Sequence, residues 1–199
     1  ATTLVCIRLI RGGPRLGADI TLGALYGLAL LTKFNLAALL APIGLAYLLS
    51  VWRSRNWKAA LRGVAVVLGI AALLSGWWFW RNWMLYGDPT GMSKVNELWS
   101  GREPSENWWN LWQSLPYLWS SLWGRFGYGQ APLALPAYQA MLGLAVLGLA
   151  GYVRRGKCGS SGAQLGLLAV ICLTFTAVVF YYILIQPAGA MGRFLFPAL

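Results

Sequence analysis

Residues 61–80 read LRGVAVVLGIAALLSGWWFW, twenty residues with a single charge, Arg62, at the second position. As an α-helix rising 1.5 Å per residue, that length covers about 30 Å, the thickness of a bilayer's hydrocarbon core. The stretch closes on Trp77, Trp78 and Trp80, and Arg81 follows at once. Tryptophan favours the headgroup region, where its ring stays in apolar surroundings and its N–H finds a partner. The segment reads as a membrane crossing, and the rest of the chain is read against the same solvent.

Four further apolar blocks accompany it, at about 16–31, 36–52, 135–152 and 165–185. Together they predict an all-α fold, a polytopic transmembrane bundle of about five spans in one domain, 1–199. The first block is short and contains Asp19. Joined to the second as one helix it would rise by more than about 50 Å, too long for a single crossing. A break is therefore expected near Lys33-Phe34-Asn35, making a tight hairpin or a re-entrant element. Gly23-x-x-x-Gly27 in the first block permits close helix packing.

Composition agrees. Hydrophobic residues make up 58% of the chain and charged residues 11%, against about 25% charged in a soluble domain. The net charge of +11 does not indicate nucleic acid, because Lys and Arg sit in short clusters between apolar blocks, where they set orientation and meet lipid headgroups. Three scattered cysteines and no histidine give neither a disulfide framework nor a zinc site, and exclude Ser-His-Asp catalysis. No metal site is expected; any chemistry must use carboxylates, Lys or Arg, Tyr, or groups of the substrate.

The basic clusters orient the bundle. Arg8, Arg11 and Arg15 precede the first block, Arg53, Arg55, Lys58 and Arg62 join the second to the third, and Arg154, Arg155 and Lys157 join the fourth to the fifth. Five crossings bring all three groups to one face, which the positive-inside rule makes cytoplasmic. Lys33, the segment 81–134 and Arg193 fall on the opposite face, with Asp88, Glu97, Glu103 and Glu106.

Within that outer segment Trp108, Leu111, Trp112, Leu115, Leu118, Trp119 and Leu122 recur at helical spacing. An amphipathic helix in the outer interface is expected, anchored by Trp108, Trp112, Trp119 and Trp123. Pro116 should kink it or start a second short helix. The stripe serves as an anchor, as a wall for a lipid-linked substrate, or as a platform on which sugar rings stack.

Three cations lie near the outer helix ends: Lys33, Arg81 and Arg193. Each reads as an interfacial anchor or, if they converge, as part of a site for phosphate or pyrophosphate. Gly87-Asp88-Pro89 reads as a turn, with Asp88 either ordering the loop by pairing with Arg81 or touching substrate.

Residues 27–34 (GLALLTKF) resemble a segment of bacterial GT-C membrane glycosyltransferases of the protein mannosyltransferase-like and aminoarabinose transferase-like kind, and 76–89 (GWWFWRNWMLYGDP) and 192–197 (GRFLFP) resemble, in the same order, segments of predicted bacterial membrane proteins of the same superfamily. Phe194 replaces the usual Tyr of the last segment. The resemblance implies sugar transfer from a polyprenyl-phosphate donor to a glycan, lipid or protein acceptor at the outer face of the bacterial inner membrane. It also implies donor-phosphate contacts at Lys33, Arg81 and Arg193. The acidic residue that serves as base, or positions a metal, belongs to an N-terminal outer loop with no counterpart here. The chain is accordingly expected to be an internal piece of a larger protein, without a cofactor of its own; a divalent metal is left open for the full-length protein. Asp88 is not assigned as the base. The alternative is a non-enzymatic polytopic protein, a transporter or envelope assembly component. That alternative favours ionisable groups midway along the spans or paired broken helices.

Overall fold

A computed structural model describes residues 1–99, 108–126, 131–154 and 162–185. Its helices are α1 (Thr2–Gly12), α2 (Leu16–Thr32), α3 (Leu40–Ser54), α4 (Trp57–Tyr86), α5 (Met92–Trp99), α6 (Trp108–Trp123), α7 (Leu135–Arg154) and α8 (Gly162–Ile185). A 3₁₀ segment, Phe34–Leu39, leads into α3. The chain divides into two compact units, Ala1–Leu98 with Gly162–Thr174, and Trp99–Ser161 with Phe175–Leu199. It is an all-α membrane protein. Three of its helices, Phe34–Ser54, Trp57–Tyr86 and Gly162–Leu184, are long and apolar enough to cross a bilayer, while Leu16–Thr32 and Leu135–Gly148 are apolar but shorter.

In the first unit two tight turns reverse the chain. The break expected near Lys33 is present: α2 stops at Thr32, Lys33 is extended, and the 3₁₀ segment starts the return. The Tyr26 hydroxyl donates to the carbonyl of Ala37 across this turn (3.2 Å), tying the arms of the hairpin. At the other end α3 closes on Arg55 in the left-handed conformation (φ 56°). The Asn56 side chain then accepts from the Ala59 N–H (3.1 Å), capping α4. That cap starts α4 at Trp57, before the boundary read from hydropathy, and the helix runs on to Tyr86, six residues beyond Trp80.

Two reversals make α2 and α4 parallel, with α3 antiparallel to both. Packing confirms the direction. A Cβ on Gly23 would lie 2.9 Å from the Val67 carbonyl and 2.8 Å from the Ile70 Cβ; one on Gly27 would lie 3.0 Å from the Ala71 Cα. Each step of four residues on α2 is thus matched by four on α4. The buried face of α4 is small or slender along this line, Ala60, Gly63, Val67, Ala71 and Ser75. Between helices in lipid there is little hydrophobic gain, so association rests on such backbone-to-backbone van der Waals contact.

The basic residues of α1 and of the α3–α4 turn consequently share one end of this unit. In α1, Cys6, Leu9 and Ile10 are buried while Arg8 and Arg11 face outward, an amphipathic pattern that hydropathy blocks do not register. With its carboxamide oxygen turned toward Arg11, Gln164 accepts from the guanidinium (2.7 Å from Nε), so α8 begins at this same end. Leu48, Leu61, Leu68, Leu73, Trp77 and Trp80 face outward, as lipid-solvated surfaces do.

In the second unit, Leu118 of α6 is buried with Val179 and Ile183 of α8, and Leu111, Phe180 and Tyr182 surround them. Pro116 does not divide α6, which continues as one helix through it. The proline removes only its own N–H from the ladder, the one that would bond the Trp112 carbonyl. A two-residue antiparallel ladder, β1 (Arg125–Phe126) with β2 (Ala131–Pro132), follows. Tyr138 closes it by donating to the Gly124 carbonyl (2.7 Å) and accepting from the Leu133 N–H (2.8 Å).

The α2–α4 contact predicts a sharp positional contrast. Gly23→Leu should destabilise the protein by about 1–3 kcal/mol or more, because the added atoms meet α4 backbone. Gly69→Ala, where a Cβ meets nothing within 4 Å, should be neutral or stabilising by up to about 1 kcal/mol. Thermal unfolding in nanodiscs checks both.

Candidate functional site

The opposite end of the first unit carries two of the three cations singled out by sequence. Lys33 lies in the α2 turn and Arg81 in the last turns of α4, and both are exposed. Phe34, beside Lys33, meets Phe79, two residues before Arg81, edge to face (centroids 6.3 Å apart, 68° between planes). Phe79 in turn meets Trp78 edge to face (5.1 Å, 83°). This aromatic contact brings the two cation-bearing segments together. Trp77, Trp80 and Trp83 are exposed around it.

The loop after α4 is built from its own side chains. Gly87 takes φ 67° and returns its N–H to the Trp83 carbonyl (2.9 Å), ending the helix in the left-handed geometry glycine permits. Asp88 then accepts from the Thr90 N–H (2.9 Å), the Thr90 hydroxyl (2.8 Å) and the Ser93 N–H (2.9 Å). The carboxylate thereby caps the start of α5, and these donors hold it down at about 2, below its ordinary 3.8, the Ser93 backbone contributing most. Buried Asn82 donates to the Pro89 carbonyl (3.3 Å), fastening the loop back onto α4. Asn82 is a structural residue that carries no charge to mark it; its place shortly before the Gly87-Asp88-Pro89 turn is its signal in the sequence.

The Arg81–Asp88 pair expected from sequence does not form. Asp88 orders the loop through hydroxyl and backbone donors, which lie closer along the chain and need no long side chain to be immobilised. Lys94–Glu97 is the ion pair present among the described residues. Arg81 makes no hydrogen bond or ion pair among them.

Trp108 and Trp112 are exposed on α6, while Trp119 is half-buried and stacks edge to face on Trp123 (5.5 Å, 71°). Arg125 lies over the Tyr117 ring (4.7 Å). Arg193 and the GRFLFP segment lie outside the described residues.

A second polar locus lies toward the basic end of the first unit. Asp19 of α2 is fully buried and accepts from the Tyr47 hydroxyl of α3 (2.6 Å). Gly63 of α4 makes the approach possible: a Cβ there would sit 2.6 Å from the Tyr47 ring and 3.0 Å from Asp19 Oδ1. Among the described residues Asp19 Oδ2 has no partner, nor has the buried Ser50 hydroxyl one turn further along α3. Sequence reading treated Asp19 only as a mark against its span. The partner was obscured by separation, but Asp19 and Tyr47 are each fourteen residues from Lys33, so a hairpin folded there brings them level.

Comparison of the chain with family models, curated proteins and solved structures returned no match.

Two outcomes follow from this geometry. The Asp88 carboxyl is lowered on folding, so its contribution is complete above about pH 4 and is lost as pH falls toward 2. Hydrogen exchange at the Thr90 and Ser93 amides, corrected for intrinsic rates, should show protection failing over that window and absent at all pH in Asp88→Ala. Tyr47→Phe leaves Asp19 with neither oxygen paired and should lower stability by about 1–3 kcal/mol, read by thermal unfolding.

Proposed function

We propose that the chain is part of a bacterial membrane glycosyltransferase that transfers a sugar from a polyprenyl-phosphate donor to a glycan, lipid or protein acceptor at the outer face of the inner membrane. The observation that carries this reading is the division of labour in the segment 76–89. Asn82, Gly87 and Asp88 are engaged in ordering their loop, while Arg81, beside the Lys33 turn, is exposed and makes no bond among the described residues. A guanidinium held on a rigid helix end beside an ordered loop suits a donor phosphate, which it grips through forked hydrogen bonds. Exposed Trp77, Trp80 and Trp83 supply aromatic faces for sugar or prenyl chain. Arg193 joins Lys33 and Arg81 in this reading as a third phosphate contact. No residue of this chain is assigned as the base.

The accompanying topology has five spans, α2, α3, α4, α7 and α8, with Arg8–Arg15, Arg53–Arg62 and Arg154–Lys157 cytoplasmic and the segment 81–134 outside. Parallel α2 and α4, which bring the first two basic groups to one end, support it. The contact of Arg11 with Gln164 supports the same for the start of α8. In this scheme α6 lies in the outer interface, anchored by Trp108 and Trp112.

A second reading, a transporter or other non-enzymatic membrane protein, is favoured by one observation, the buried carboxylate of Asp19 among three helices.

Arg81→Ala, and separately Lys33→Ala, should weaken binding of a polyprenyl-phosphate sugar about tenfold or more, the worth of one charge-assisted hydrogen bond, while Lys58→Ala should not. Unchanged binding in both would reduce the pair to interfacial anchors and remove the reading. In a background lacking native cysteines, a cysteine at position 98 should react with an impermeant maleimide from outside and one at position 55 should not; the reverse would invert the topology.

A further inference from the structure

We infer that Asp19, with the hydroxyls of Tyr47 and Ser50, forms a buried binding site for a small monovalent cation of the size of sodium. The inference does not depend on the sugar-transfer reading. Asp19 is 0% exposed, and one of its two oxygens is committed to Tyr47. Among the described residues the other has no hydrogen-bond partner, and the Ser50 hydroxyl, 1% exposed and one turn along the same buried face of α3, has none either. A carboxylate withdrawn from water without a compensating charge is costly, and in membrane helices such groups are paired or bind ions.

Among the described residues no cation pairs with Asp19. Arg15, just before α2, and Arg62 of α4 are exposed, and the Arg15 guanidinium reaches back to Gly12, 3.6 Å from the position of a Cβ there. Lys94–Glu97 is the ion pair present among the described residues, far along the chain from Asp19. Cys6, the titratable neighbour on α1, is a thiol and adds no positive charge.

The unused valences name the class of ligand. Both belong to oxygen, which hard cations prefer. One carboxylate balances one charge, and no group of three or more His, Cys, Asp or Glu is present among the described residues, which disfavours a divalent ion. A bridging water would satisfy the two hydroxyl and carboxylate lone pairs but leave the charge uncompensated. Gly63 adds the last condition: with no side chain it lets α4 close over Tyr47 and Asp19, shielding the locus from solvent.

The test is thermal unfolding of the purified chain in nanodiscs, in sodium, potassium and N-methyl-D-glucamine chloride at equal ionic strength. Sodium should raise Tm saturably, as a ligand of the folded state does, and Asp19→Asn should abolish the rise. Ser50→Ala should move the half-saturating sodium concentration up about tenfold, and Lys58→Ala should leave it in place. Radioactive sodium should bind at one ion per chain. A wild-type Tm indifferent to sodium, or a sodium response intact in Asp19→Asn, overturns the proposal. If Asp19→Asn does not fold, an unshifted half-saturation in Ser50→Ala overturns it. Loss of donor binding in Arg81→Ala with the sodium response retained separates this site from the sugar-transfer reading.

Discussion

Backbone contact between α2 and α4 at Gly23 and Gly27 governs the geometry of the first unit. At those two positions even a methyl group would lie about 3 Å or less from atoms of the facing helix, so the axes are set by the absence of side chains. Since lipid is as apolar as leucine, a membrane helix gains little by hiding leucine from it, and close contact over a small-residue seam is the available source of attraction. Once that seam is in place, α3 has one position left, the antiparallel return between two tight turns, and the two ends of the unit acquire different chemistry.

At the basic end, the same seam continues to Gly63, and there the contact is polar. Asp19, Tyr47 and Gly63 come from three helices, so this one hydrogen bond reports that all three are correctly placed. It is also the point where the structure departs most from an apolar bundle, because one carboxylate oxygen and one hydroxyl are left unanswered. At the other end, the loop after α4 answers its polar groups locally. Asp88, Thr90, Ser93 and Asn82 satisfy one another and the backbone, while Arg81 stays exposed and makes no bond among the described residues.

Much of the helix content was legible because hydropathy is additive along a chain: a block of apolar residues is a helix in lipid whatever it packs against. The break at Lys33 was legible for the same reason, since length alone forbade one helix. Boundaries were less so. The N-cap of Asn56 and the C-terminal Gly87 lengthened α4 at both ends, and these are local hydrogen-bond decisions that hydropathy does not carry. Pro116 starts no second helix, because proline removes one ladder bond and the rest of α6 keeps its own.

The candidate site was legible in its charges and not in its pairings. Sequence by itself determined that the chain is helical and membrane-embedded, that its basic residues gather in clusters between apolar blocks, and that Lys33 and Arg81 stand near helix ends. Only tertiary structure decided that Asp88 serves Thr90 and Ser93 instead of Arg81, and that Asp19 meets Tyr47 under the shelter of Gly63. The physical reason is range. Solvation and helix formation act on each residue or its near neighbours, whereas an interhelical hydrogen bond exists only after two turns and a glycine seam have fixed the distance between groups far apart in the chain.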